Sequence, residues 1–147
     1  MVDEDAGEDN HVNALVLAEN LRVAVGKFVR SVKTQANTPT TSQSETLSLL
    51  DREGPLSVAE LADRRSVKHQ SMRLVAAQLE AEELISKMPN PADGRSQLLS
   101  ITDKGEKVLS RAREARASQI ASLINDRLSV EDRQTLAAAV GIIERLC

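Results

Sequence analysis

Between Ser57 and Ile101 the chain sets out, in order, a capped helix, a second helix and two short apolar runs around a stiff turn. Ser57 and Glu60 have the spacing of a capping box, and Val58, Leu61 and Ala62 follow at helical intervals. A short helix is therefore expected from Val58 to about Arg64. Beyond the turn residues 65–67, Met72, Val75, Ala76 and Leu79 recur at i, i+3, i+4 and i+7, which marks a second helix with one buried face. Its opposite side carries Gln70, Leu74 and Ala77, with Arg73 on a flank and Lys68, His69 and Ser71 in the first turn. Residues 84–88 and 97–101 then enclose Pro89-Asn90-Pro91-Ala92-Asp93-Gly94-Arg95, a pattern that predicts a hairpin.

This order predicts a mainly α fold with a small β-hairpin wing, a winged helix-turn-helix over residues 41–101. Such a shape places its second helix in the major groove of duplex DNA and a basic loop beside it. The expected DNA contacts are Ser57, Lys68, His69, Gln70, Ser71, Arg73, Leu74, Lys87, Asp93 and Arg95. Gln70, Ser71 and Arg73 are read as base-contacting, and Leu74 as able to touch a thymine methyl. Arg95 is read as a minor-groove cation, its guanidinium held by Asp93. The competing reading of these charges is a solvated helix face, or a winged helix that contacts only protein.

Four segments in this order resemble the multiple antibiotic resistance regulator (MarR) family. They are Gly54-Pro55-Leu56-Ser57-Val58-Ala59-Glu60-Leu61-Ala62, Leu79-Glu80-Ala81-Glu82-Glu83-Leu84-Ile85, Pro91-Ala92-Asp93-Gly94-Arg95 and Ile101-Thr102-Asp103-Lys104-Gly105. The resemblance implies a homodimeric bacterial transcription factor that binds a palindromic operator and is usually released by a small ligand. It also implies an effector site where the reader meets the flanking helices, with Phe28, Val32, Leu47 and Leu50 as candidate lining; their other reading is plain core. Three positions depart from the family pattern: Arg65-Ser66 replaces a common Leu-Gly, Lys68 a Ser or Thr cap, and Leu74 an Arg.

Helices are expected on either side of the reader, over 11–40 and 102–147. Leu15, Leu17, Ala18, Leu21, Val25, Phe28, Val29 and Val32 form an apolar stripe that ends near Asn37 and Pro39. Thr102 caps a helix to about Asn125, and Ser129 with Asp132 opens a last one bearing Leu136, Val140, Ile143 and Leu146. A further helix from Ser42 to Arg52, with Ser42 and Glu45 as its capping box, joins the two regions through Leu47, Leu49 and Leu50. Terminal helices of this kind bury their stripes either against a second copy or in an intramolecular bundle. A twofold dimer predicts an inverted-repeat site.

The net charge of -3 conflicts with DNA binding until its distribution is considered. Asp3, Glu4, Asp5, Glu8 and Asp9 lie in an acidic arm, residues 1–10, expected to be disordered; without them 19 basic face 17 acidic residues, a net of +2. The cluster that matters for phosphate is Arg64, Arg65, Lys68, Arg73, Lys87 and Arg95. Phe28 is the sole aromatic residue, so the core must be aliphatic and base stacking on single strands is disfavoured.

His11 and His69 have no partner at metal-ligand spacing, the six glycines are dispersed, and no nucleophile with a base can be assembled. Neither an enzyme nor a metal or cofactor site is expected. An acidic start and the lack of an apolar run near ~20 residues predict a cytoplasmic chain with no membrane span. Cys147, alone, excludes an internal disulfide and is read as a bystander or as half of an intersubunit one.

Overall fold

The computed structural model describes residues 12–147, so the acidic arm over 1–10 lies outside the described residues. Helix α1 spans Ala14–Gln35, opened by Asn13, whose Oδ1 accepts the N–H groups of Leu15 and Val16. Helix α2 covers Ser42–Glu53 and strand β1 Leu56–Ser57. The reader helices are α3, Val58–Arg64, and α4, His69–Ala81, followed by β2, Ile85–Pro89, and β3, Gln97–Ile101. Helices α5, Asp103–Arg127, and α6, Val130–Glu144, complete the chain.

Local chemistry explains most of these boundaries. Ser57 and Glu60 cap α3 reciprocally, Ser129 and Asp132 do the same for α6, and the Thr102 hydroxyl accepts the Gly105 N–H at the start of α5. At α2 the structure corrects the expected cap: Thr41 and Ser44 form the box, one residue before Ser42 and Glu45. Both pairs have the required spacing, but Thr41 has the extended backbone a cap needs, whereas Ser42 is already helical.

The sheet has three antiparallel strands in the order β1-β3-β2. The expected hairpin is its β2–β3 part, with Lys87 opposite Leu99 and Met88 opposite Leu98. On the far edge β1 pairs Leu56 with Leu99. Two residues are too short to show strand periodicity, so β1 is invisible to pattern reading.

One aliphatic core joins these elements. Leu47, Leu49 and Leu50 of α2, Leu61 of α3, Met72, Ala76 and Leu79 of α4, Leu99 of β3 and Leu109 of α5 belong to it. Gly105 allows a close approach: a Cβ there would lie 2.4 Å from the Leu84 carbonyl oxygen and 2.7 Å from Ile101 Cγ1. The start of α5 is thereby set directly on the base of the wing, and the Thr102 hydroxyl reinforces it by donating to the Glu83 carbonyl at 2.7 Å.

Both outer helices leave most of their large apolar side chains exposed. Leu15, Val16, Leu17, Val25, Phe28 and Val29 of α1 are open to solvent in the single chain, and α6 buries no residue at all. Replacing Gly105 with Ala is expected to lower stability by about 1–3 kcal/mol through overpacking against backbone, measured as a lower midpoint in thermal unfolding followed by circular dichroism.

Candidate nucleic-acid interface

The buried stripe of α4 is Met72, Ala76 and Leu79, and this orients the rest of the helix. Lys68, His69, Gln70, Ser71, Arg73 and Leu74 are all exposed, so the residues read as DNA contacts share the open side of the helix and its first turn. Lys68 occupies the N-cap position without a side-chain hydrogen bond to the helix. The first-turn N–H groups therefore keep their capacity to meet an anion.

The wing is stiffened by its own amides and carboxylates. Asn90 Oδ1 accepts the Ala92 N–H at 3.0 Å, and its amide donates to Ser96 Oγ at 2.9 Å. Asp93 Oδ1 accepts the backbone N–H of Arg95, also at 3.0 Å. This corrects the expected pairing: Asp93 holds the peptide of Arg95 in an Asx turn, not its guanidinium. Arg95 is exposed, with its side chain directed by a fixed backbone.

A groove of about 650 Å³ runs between α4 and the wing. His69, Arg73 and Glu80 line it from α4, and Lys87, Arg95 and Ser96 from the β-sheet side. The structure thus brings four of the expected contacts, His69, Arg73, Lys87 and Arg95, onto one concave surface. Ser57 is not among them. It is 7% exposed and its hydroxyl accepts the Glu60 N–H at 3.1 Å, so it serves as a helix cap and is withdrawn from the contact set.

The MarR family model matches residues 40–97. The HTH-type transcriptional regulator Mb0904 of Mycobacterium bovis is 30% identical over 129 residues, covering 86% of this chain and 90% of the relative. The chain belongs to the MarR family. The HTH-type transcriptional repressor NicR of Pseudomonas putida is 32% identical over 115 residues, covering 77% of this chain and 72% of that protein. Among solved structures, the transcriptional regulator Tm0710 of Thermotoga maritima superposes with a TM-score of 0.71 at 26% identity, over 89% of this chain and 96% of that one.

Within this MarR-family chain the six clustered cations divide into two groups. Arg64 pairs with Glu53 at 2.7 Å and faces Glu60 at 3.9 Å, Arg65 pairs with Glu45, and Lys87 with Glu80 at 3.0 Å. Lys68, Arg73 and Arg95 have no ion-pair partner among the described residues. Long-range carboxylate partners cannot be read from local spacing, which is why the sequence pattern counts all six alike.

The four candidate effector-lining residues differ in burial, and none lines the groove between α4 and the wing. Leu47 and Leu50 belong to the core, Val32 is buried outside that cluster, and Phe28 is 47% exposed on α1. A different cavity, of about 690 Å³ and lined by none of the four, opens where the α1–α2 loop, α2, α3 and α5 meet. Lys33, Arg52, Arg64, Arg65 and Arg116 line it, with Glu45 as the carboxylate on its wall. Among the described residues no group of side chains is arranged to hold a metal ion, and no helix is long and apolar enough to cross a membrane. Cys147 is free and exposed.

The reassignment of Ser57 has a direct check. Ser57→Ala is expected to cost about 0.5–2 kcal/mol in chemical denaturation through loss of the cap, while the slope of DNA affinity against salt stays at the wild-type value.

Proposed function

We propose that this MarR-family regulator acts in the cytoplasm as a homodimeric repressor that binds an inverted repeat in double-stranded DNA and leaves it when a small anion binds. The observation that carries this reading is the groove between α4 and the wing, where His69, Arg73, Lys87 and Arg95 converge. In this reading α4 lies in the major groove, with Gln70, Ser71 and Arg73 against base edges and Leu74 near a thymine methyl. Arg95 follows the minor groove, where narrow A·T segments concentrate negative potential. Lys68 and the open first turn of α4 meet phosphate.

Dimerisation is supported by the exposed apolar side chains of α1 and α6, including Leu15 at 80% and Val130 at 67% exposure. Two such helices per subunit offer a surface that a twofold mate covers, and a twofold pair presents its two reader helices about one DNA turn apart. The name of the NicR relative supports repression. An anionic effector is favoured by the cavity lined by Lys33, Arg52, Arg64 and Arg116, whose lining carboxylate, Glu45, is already paired with Arg65.

Selection from a random duplex pool by the purified protein is expected to return sites with dyad symmetry, and sedimentation is expected to give a dimer. Arg73→Glu and Arg95→Glu should each reduce affinity for a selected site by more than tenfold. Ala at a base-reading position should cost about 1–3 kcal/mol and relax one position of the site. Unchanged duplex affinity in both charge reversals would instead make the chain a protein-contact module.

A further inference from the structure

We propose that Arg65 is the positioning residue for the reader helix, holding in place a turn that this chain builds without glycine. The proposal rests on the DNA-binding reading only for its affinity readout. Helix α3 closes by a hydrogen-bond pair in which Ser66 N–H donates to the Asp63 carbonyl at 3.1 Å and Val67 N–H to the Ala62 carbonyl at 3.0 Å. This closure requires a left-handed residue, and Ser66 supplies it at φ 53°. A β-carbon in that conformation crowds the neighbouring carbonyl oxygen, so the turn is less favourable with Ser than with Gly.

Arg65 offsets this strain from the side. Its side chain is only 13% exposed, and one guanidinium nitrogen donates to the Ser42 carbonyl at 3.1 Å, Ser42 Oγ at 2.8 Å and Thr46 Oγ1 at 2.9 Å. The other terminal nitrogen donates to the Glu45 carboxylate. All these acceptors lie in the first turns of α2, so the fork ties the end of α3 to the start of α2. Thr46 is fully buried, and its hydroxyl lies 4.0 Å from Sδ of Met72, the side chain that seats α4 in the core.

Only residues 66–68 separate Arg65 from α4, so any shift of this turn displaces His69, Gln70 and Ser71 directly. Arg65 does not line the groove between α4 and the wing; its guanidinium faces α2. It therefore acts on recognition through the placement of α4, not through phosphate.

The test compares wild type, Arg65→Ala, Glu45→Gln, Ser66→Gly and the double variant Arg65→Ala/Ser66→Gly, each in duplex binding across a salt series and in amide hydrogen exchange. Arg65→Ala is expected to weaken binding to a selected duplex about tenfold, the scale of one lost charge-assisted hydrogen bond, with the salt slope unchanged. Glu45→Gln should weaken it less, and Ser66→Gly should recover most of the loss in the double variant. Exchange at Val67 and Met72 should accelerate in Arg65→Ala and slow again in the double variant.

A salt slope lowered by about 0.9 in Arg65→Ala would make Arg65 a phosphate contact and overturn the proposal. Wild-type affinity in Arg65→Ala, or no recovery on adding Ser66→Gly, would do the same. If Arg65→Ala does not fold, the milder Glu45→Gln decides, since wild-type exchange at Val67 and Met72 in that variant refutes the tie. The exchange measurement needs no DNA. A wild-type chain that binds no duplex therefore removes the DNA reading, while the proposal still stands or falls on amide protection.

Discussion

Everything in the reader unit depends on one aliphatic contact shared by several short elements. Leu61, Met72 and Leu99 are entirely buried, and they come from α3, α4 and β3 respectively. None of these elements is stable alone; a seven-residue helix and five-residue strands gain their order from burial, at about 1.5–3 kcal/mol per large apolar side chain. Because the same cluster takes in Leu84 and Ile85 at the base of the wing, the reader helix and the wing are seated on common ground. Their relative position is therefore a property of the core.

The charges follow a second rule. Arg64 and Lys87 sit in ion pairs whose side chains are about two-fifths exposed, and pairs of that kind contribute little in water. A phosphate can replace either carboxylate at small cost. Arg65 is different, because its guanidinium is largely enclosed and satisfied by several acceptors at once. Two adjacent arginines thus have separate duties, one available to anions and one structural.

Much of the architecture was legible because it rests on local chemistry. Capping pairs at Ser57–Glu60 and Ser129–Asp132, and the stripe through Met72, Ala76 and Leu79, are encoded within one or two helical turns. What escaped depends on distance along the chain or on small differences between equal local choices. Thr41–Ser44 and Ser42–Glu45 have identical spacing, and only the backbone entering α2 decides between them. Asp93 chose the near peptide N–H over a mobile guanidinium, which requires less ordering of side chains. The short-range partners of Arg64, Arg65 and Lys87, namely Glu53, Glu45 and Glu80, lie on other elements, so no helical period reveals them; only the 3.9 Å approach of Arg64 to Glu60 is local. Leu47 and Leu50 have the composition of a pocket wall and also of a core, and in the single chain they are part of the core.

The tight seat of Gly105 against Leu84 and Ile101 gives α5 the character of a lever. The helix has 25 residues, which makes it roughly 37 Å long at 1.5 Å per residue. A rigid tilt of roughly 5° about that seat would carry the far end through about 3 Å. By the same geometry, a displacement of that size at the distal end corresponds to only a few degrees at the seat, and the helix between the two is unbroken.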